Sequence, residues 1–345
     1  MRCRSGVSPF AAILLLCTVL TDPAVAQAAP EWPEPDAAQA WTWVPVASGT
    51  TQTLRDVHFS SASFGWIGGD NLTILKSTNG GTAWTPMSPK EGWATASDCC
   101  MSAGTREQPS QEAWLAGPKK ALRFSATSNT GAYAYGEVVL HAVFPIPGSD
   151  VVWYGGSTLG SGGSLRLYRK SSAGTLTVLF FTSGTVEGIA FATEEEGWAV
   201  GTGGRLVHVT NGKAAEPTVA VQSAPTGAKL NAISLVGPSS GWIVGDGGTI
   251  VWLNNGNPAL RHSGVVNNLR DITFRDASRG AIVGDGGLIL VTADGGSSWT
   301  IEPSGTSVDL LGVSWAGESA VAVGASGTIL MRTKAAPPRH RLVRR

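Results

Sequence analysis

Six polar residues occupy equivalent places in a strand pattern that recurs along the chain as Leu-x-x-Val-x-Phe or a close variant. They stand at its second position: Arg55, Ser97, His141, Glu187, Asn231 and Arg270. A guanidinium donates hydrogen bonds in a planar fork that suits carboxylates and backbone carbonyls, so we expect Arg55 and Arg270 to contact a protein client. The sequence leaves open an alternative in which each arginine pairs with an aspartate of the neighbouring copy, for example Arg55 with Asp98.

Catalytic and metal-binding patterns are weak among the other polar residues. One set of aspartates follows a turn glycine: Asp70, Asp246 and Asp285. Another set holds the third place of the strand pattern: Asp56, Asp98 and Asp271. Recurrence at equal positions favours a structural role, and aspartate is a common turn former. The tyrosines lie in no recognisable nucleophile motif, and the histidines lack metal-ligand spacing. We therefore expect no catalysis, no metal and no other cofactor.

The strand pattern belongs to a longer repeat, in which a Gly-Trp step, a glycine-rich turn and a second apolar strand follow it. The repeat returns about every forty residues, with starts at Leu54, Ala96, Leu140, Val186, Leu230, Leu269 and Leu310. Short strands at this period predict one four-stranded sheet per copy, stacked on its neighbours around an axis. The sequence thus predicts an all-β fold, a seven-bladed β-propeller of four-stranded blades.

The two ends of the repeat region predict how the ring closes. The last copy runs into Ala335-Ala-Pro-Pro338, which cannot supply a fourth strand. The segment Trp41-Thr-Trp-Val-Pro45 resembles Trp299-Thr-Ile-Glu-Pro303, the fourth strand of the sixth copy. We expect this N-terminal strand to complete the last blade, so that no open break is left in the ring.

The N-terminus has the order of a secretory signal over residues 1–26: Arg2 and Arg4, an apolar run, then Ala24-Val-Ala26. We expect residues 27–40 to be a linker, 41–333 the propeller and 334–345 a basic, disordered tail. The predicted location is exported, either periplasmic or extracellular, and we expect a monomer.

Charge is balanced overall but unevenly distributed. A formal net charge of zero argues against nucleic-acid binding, which normally requires a basic stripe. Lys334, Arg339, Arg341, Arg344 and Arg345 give the tail a positive charge and leave the body between signal and tail mildly acidic. A solvated tail is the simpler expectation, with peripheral contact to an anionic membrane as the alternative.

Two copies depart from the repeat. The copy that starts at Ala96 carries adjacent cysteines, Cys99 and Cys100, and extra residues between Met101 and Trp114 that include Arg106. Neighbouring strand side chains point to opposite faces, which favours a structural role for the cysteines and leaves a strained vicinal disulfide as the alternative. The next copy has a long turn within residues 155–163. We include Arg106 among the candidate client contacts.

Two hairpins carry the motif Ser/Thr-x-Asp/Asn-Gly-Gly-x-x-Trp. Its residues are Asn79, Gly80, Gly81 and Trp84 in the first, and Asp294, Gly295, Gly296 and Trp299 in the second. The motif resembles the Asp-box, or bacterial neuraminidase repeat, in which Asp or Asn caps a tight turn and Trp packs beneath it. Together with the Gly-Trp blades and the signal, the chain resembles the photosystem II assembly and stability factor family of seven-bladed propellers over residues 41–333.

The resemblance implies a non-catalytic scaffold that binds a membrane-protein client for assembly or stability of a membrane or envelope complex. Enzymes use the same repeats, so a carbohydrate-active propeller is the main alternative, either a sialidase-like or other glycosidase or a lectin. Propellers can bring two distant carboxylates to glycosidase spacing. A surface adhesion module is a third alternative.

Overall fold

A computed structural model describes residues 41–87, 102–104, 113–124, 129–146, 149, 151–158, 164–170, 176–214 and 216–334. The predicted signal, linker and residues 335–345 of the tail lie outside these ranges, as do Cys99, Cys100 and Arg106. Within the ranges, no helix is long and apolar enough to cross a membrane.

The described chain consists of short strands joined by turns. In chain order the strands are β1 (Trp41–Pro45), β2 (Leu54–Phe59), β3 (Gly65–Gly69), β4 (Ile74–Ser77), β5 (Thr85–Pro86), β6 (Ser102–Gly104), β7 (Ala113–Phe124), β8 (Asn129–Pro145), β9 (Val152–Thr158), β10 (Ser164–Lys170), β11 (Leu176–Ser183), β12 (Val186–Phe191), β13 (Gly197–Gly201), β14 (Arg205–Thr210), β15 (Thr218–Ser223), β16 (Leu230–Gly237), β17 (Ser240–Gly245), β18 (Ile250–Asn254), β19 (Asn257–Arg261), β20 (Leu269–Phe274), β21 (Gly280–Gly284), β22 (Leu288–Thr292), β23 (Thr300–Ile301), β24 (Leu310–Ala316), β25 (Ser319–Gly324) and β26 (Ile329–Lys334). Single 3-10 turns cover Asp70–Leu72, Thr202–Gly204, Asp246–Gly248, Asp285–Gly287 and Ala325–Gly327.

The strands form antiparallel sheets around a ring, as predicted. Blade one is β2–β5, blade four β12–β15, blade five β16–β19 and blade six β20–β23, and blade seven comprises β24–β26 with β1. The innermost strands contact each other in the order β2, β6, β8, β12, β16, β20, β24 and back to β2. Seven inner strands in a closed cycle confirm the seven-bladed propeller.

Blades two and three differ from the expected pair of separate sheets. The strands β6 to β11 form one six-stranded sheet. The long strand β8 explains this, because its first part pairs with β7 and its last part, from Val138, pairs with β9. No proline interrupts β8 before its final residue, so one strand serves as the outer strand of blade two and the inner strand of blade three. In addition, β6 begins at Ser102, inside the stretch expected to form a loop.

Strand β1 closes the ring. It pairs antiparallel with β26, from Trp41 opposite Lys334 to Pro45 opposite Leu330, and so forms the outer strand of blade seven. Trp43 is buried in a cluster that includes Ala281 and Val283 of blade six. Its indole Nε1 donates a 2.8 Å hydrogen bond to Glu302, just after β23. The predicted closure by the N-terminal strand is therefore confirmed.

The glycine that begins the second strand of a blade packs against the phenylalanine that ends the first. A Cβ on Gly65 would lie 2.7 Å from the ring of Phe59, and one on Gly280 would lie 2.8 Å from the ring of Phe274. Real Cβ atoms do not approach that closely, so glycine at the start of the second strand makes room for the phenylalanine that ends the first.

Both Asp-box hairpins have the expected geometry. Asn79 Oδ1 accepts hydrogen bonds from the Ser77 hydroxyl at 2.9 Å and from the Ala83 N–H at 3.0 Å. Asp294 accepts from the Thr292 hydroxyl at 2.7 Å and from the Ser298 N–H at 2.9 Å. The four motif glycines have φ between +71° and +87°, values that favour glycine. Trp84 is buried and donates to the Gly81 carbonyl.

Candidate functional site

The inner strands enclose a central cavity of about 650 Å³. Among the residues that line it are the predicted ones at the second position of the strand pattern, Arg55, His141, Glu187, Asn231 and Arg270, together with Leu311. All but His141, which lies in the later part of the long strand β8, stand at the start of their inner strands. In blades one, five and six antiparallel pairing places the 3-10 turn after the second strand at the same end. We call this end of the cavity the mouth, and define it by the second-position residue, the residue before the inner strand and the first residue of the turn.

Both arginines at the mouth form bidentate ion pairs with the aspartate that opens the turn of their own blade. Arg55 donates to Asp70 from Nε at 2.8 Å and from Nη2 at 3.0 Å. Arg270 donates to Asp285 from the same two nitrogens at 2.5 and 2.8 Å. The described partner of Arg270 is thus in its own blade and not in the neighbouring one. Asp98, the suggested neighbour of Arg55, lies outside the described residues.

Asn231 uses the same geometry with a neutral donor. Its Nδ2 donates to Asp246 Oδ1 at 2.9 Å and to the Leu269 carbonyl of the next blade at 2.8 Å. In blade seven Leu311 takes the second position and Ala325 opens the turn, so both polar groups are replaced together. The aspartates at Asp70, Asp246 and Asp285 therefore connect turn to inner strand, in addition to opening the turn.

A different set of groups faces the mouth at blades three and four. Glu187 lies 3.8 Å from the His141 Nδ1 and 3.3 Å from the Lys229 ammonium, and it accepts a 2.5 Å hydrogen bond from the Thr185 hydroxyl. Burial lowers the pKa of His141, against the opposing effect of the nearby Glu187. The imidazole is thus held toward its neutral form beside a carboxylate that Lys229 already balances.

The residue before each inner strand adds a second layer of hydrogen bonds. Asn268 donates to Asp285 Oδ2 at 2.9 Å, and its Oδ1 accepts the Gly247 N–H of blade five at 3.0 Å. Asp309 accepts the Gly286 N–H at 2.9 Å. Each turn is thereby connected to the start of the next blade. Sequence reasoning missed Lys229, Asn268 and Asp309, although their position directly before an inner strand was a readable signal.

The second glycine of the turn makes this close approach possible. Gly248 has a φ of +72°, and a Cβ there would lie 2.0 Å from the Val265 carbonyl oxygen. Its N–H donates to the Asn267 carbonyl at 2.8 Å. Only glycine allows the turn to rest directly on the loop that leads into the next blade.

Electrostatics at blade six follow from these contacts. Burial disfavours the charged form of Asp285, but hydrogen bonds from Arg270 and Asn268 outweigh it and hold the pKa of the carboxyl below its ordinary value. The hydrogen bond to Asp285 is the main factor that raises the pKa of Arg270, and the fields of Asp246 and Asp309 add to it. One guanidinium therefore lies among three carboxylates.

Deeper in the cavity, Asp271 forms part of the wall between blades six and seven. Its carboxylate accepts the N–H groups of Ile272 and Val313, both at 2.8 Å. Burial nevertheless raises its pKa to about 6. Among the described residues, no three His, Cys, Asp or Glu side chains are grouped so that they could hold a metal ion. The arrangement offers paired donors and acceptors around an opening, which is suited to binding a polar segment.

No family model matches this chain, and no curated protein matches it either. Solved structures do match. A structure described as YCF48 bound to D1 peptide is 18% identical, with a TM-score of 0.63, over 89% of this chain and 98% of that chain. YCF48 from Cyanidioschyzon merolae gives the same identity and TM-score over 84% of this chain and 98% of that chain. The structure of U3-55K is 12% identical, with a TM-score of 0.67, over 87% of this chain and 99% of that chain. At these identities the likeness shows the propeller fold.

Proposed function

We propose that the protein is an exported, non-catalytic scaffold that binds a protein client at the mouth of the propeller. The observation that carries the proposal is the mouth itself: the variable second-position residues of several blades converge around an open cavity of about 650 Å³, while the repeated residues support the frame. Propellers bind ligands with the loops and strand ends around the channel.

The likeness to YCF48 supports a peptide as the ligand, because one of the matching structures holds a D1 peptide. We extend this to a role like that of photosystem II assembly factors: the client is a membrane or envelope protein, and the scaffold assists assembly or stability of its complex. The proposed contacts are Arg55, His141, Glu187, Asn231 and Arg270, with Arg106 added from the sequence. The basic tail is a proposed site of peripheral membrane contact.

An affinity capture from the cell envelope of the source organism tests the proposal. We expect the tagged mature protein to retain a membrane-complex subunit, and Asn231→Ala to reduce the recovery severalfold. Arg279→Ala is the matched control, because Arg279 is half exposed at the opposite end of the blades and its ion pair with Asp276 is a surface contact. Recovery of glycan alone, or equal recovery with Asn231→Ala and wild type, would refute a client site at the mouth.

A further inference from the structure

The charges at the mouth are not balanced among the described residues. Its positions hold three cations and five carboxylates: Arg55, Lys229 and Arg270 against Asp70, Glu187, Asp246, Asp285 and Asp309. The two arginines are each paired with an aspartate, and Lys229 is paired with Glu187. Among the described residues two carboxylates are therefore in excess at the rim.

The excess lies on the two sides of blade six, at Asp246 of blade five and at Asp309, directly before the inner strand of blade seven. The described partner of the Asp246 carboxylate is the neutral amide of Asn231, and that of the Asp309 carboxylate is the Gly286 N–H. Neither carboxylate has an ion-pair partner within the described chain. Asp309 is exposed and Asp246 half exposed, so both can be reached from solvent. Arg270 lies between them but is already engaged by Asp285.

The cavity below the rim is also lined by a carboxylate. Asp271 lies in the wall and is fixed by two backbone N–H groups, and no cation forms an ion pair with it within the described ranges. A positive group that enters from the mouth at blade six therefore meets two rim carboxylates and then a third deeper in the cavity. A negative group meets the same carboxylates and gains only one guanidinium that is already paired.

We infer that the mouth recognises a cationic peptide segment, whose lysine or arginine side chains pair with Asp246 and Asp309 on the two sides of blade six. This inference rests on the proposed function and adds the charge of the client to it. It also assigns a different role to Arg270. Instead of contacting a client carboxylate, Arg270 positions Asp285 and limits the negative charge at the rim.

Two fluorescein-labelled Gly-Ser peptides of equal length test the inference, one with arginines and the other with glutamates at the same positions. Fluorescence anisotropy at about 0.05 and 0.15 M NaCl gives their affinities and salt dependence. We expect tighter binding of the arginine peptide, weakened about fivefold by Asp246→Asn with Asp309→Asn. Both amides keep an oxygen for the existing hydrogen bonds, so these variants should fold.

Two further variants separate the mouth from general surface charge. Glu195→Gln with Glu216→Gln removes the same charge from exposed positions at the opposite end of blade four and should leave the affinity within about twofold. Arg270→Gln should strengthen binding of the arginine peptide. If Arg270 instead bound carboxylates of the client, the same variant would capture less client. Preference for the glutamate peptide, or equal effects of the two double variants, would overturn the inference.

Envelope capture distinguishes failure of this inference from failure of the proposed function. If wild type and Asp246→Asn/Asp309→Asn retain the same client equally while Asn231→Ala loses it, the scaffold proposal stands and the cationic segment is wrong. If wild type retains no client, the scaffold proposal fails whatever the peptides show.

Discussion

Trp43 provides the sharpest test of how the ring is held closed. Its side chain is only 6% exposed, packs on blade six and donates to Glu302. Truncation of a buried tryptophan to alanine costs about 3–5 kcal/mol through lost burial and the cavity that remains. Glu302 also keeps two hydrogen bonds from Arg332, so the loss of the indole does not leave that carboxylate unpaired. We therefore expect about 4 kcal/mol for Trp43→Ala.

The expected shift in melting temperature is this loss of free energy divided by the entropy of unfolding, which grows with the number of residues in the propeller. Unfolding entropy is about 2.1 cal/mol/K per residue, or about 0.6 kcal/mol/K for about 290 residues, so Tm should fall by about 6–7 °C. Thr42→Ala is the control, since Thr42 is exposed on the same strand and should shift Tm by about 1 °C or less. Thermal unfolding followed by circular dichroism measures both. Equal melting of the two variants would show that β1 does not hold blade six and blade seven together.

Three further predictions concern the turns and the cavity. Gly248→Ala should cost more than 2 kcal/mol in urea unfolding and Gly247→Ala only about 1, because both have positive φ but only Gly248 has a carbonyl within 2.0 Å of the added Cβ; equal losses would contradict the contact. The pKa of Asp271, raised to about 6 from 3.8, means that the folded state binds the proton more tightly, so its contribution to stability rises as pH falls from about 7 to about 4. Asp271→Asn should remove up to about 1.4 kcal/mol per pH unit of that slope, and an unchanged slope would show that Asp271 does not titrate there. Asn79→Ala should cost about 1 kcal/mol through the lost turn cap, while the neighbouring Thr78→Ala, on an exposed side chain, should change little.

The sequence predicted the ring and its closure because both depend on patterns that repeat. The positions of Leu54, Val57 and Phe59 recur from copy to copy, and β1 resembles the outer strand of blade six in sequence. The sequence left open an arginine–aspartate pair but not its partner in the same blade, since that pairing depends on a bulge between the first and third positions of the inner strand. The bulge removes the second residue from the regular alternation and directs Arg55 and Arg270 toward the turn of their own blade. The available signal in the sequence was the spacing of the apolar residues Leu54, Val57 and Phe59, three and then two, which the structure shows to be buried.

The merged sheet of blades two and three could not be read from spacing. The repeat period stays near its usual value there, so the count of blades is unaffected, but a turn that the period implies is replaced by the continuous strand β8. Whether a chain turns or runs on depends on local turn chemistry, and β8 contains glycine but no Asn-Gly or Asp-Gly pair within it.

The pairing of β1 with β26 has a consequence for the order of folding. Trp43 and its acceptor Glu302 are 259 residues apart in the chain, and β26 lies beyond both. Strand β1 thus leaves the ribosome long before the strand it pairs with, and blade seven stays incomplete until β26 has emerged. Contacts so distant in sequence form slowly. Until they form, the nascent protein exposes an unpaired strand edge at each end of an open ring, which is when a protease or chaperone has access to it.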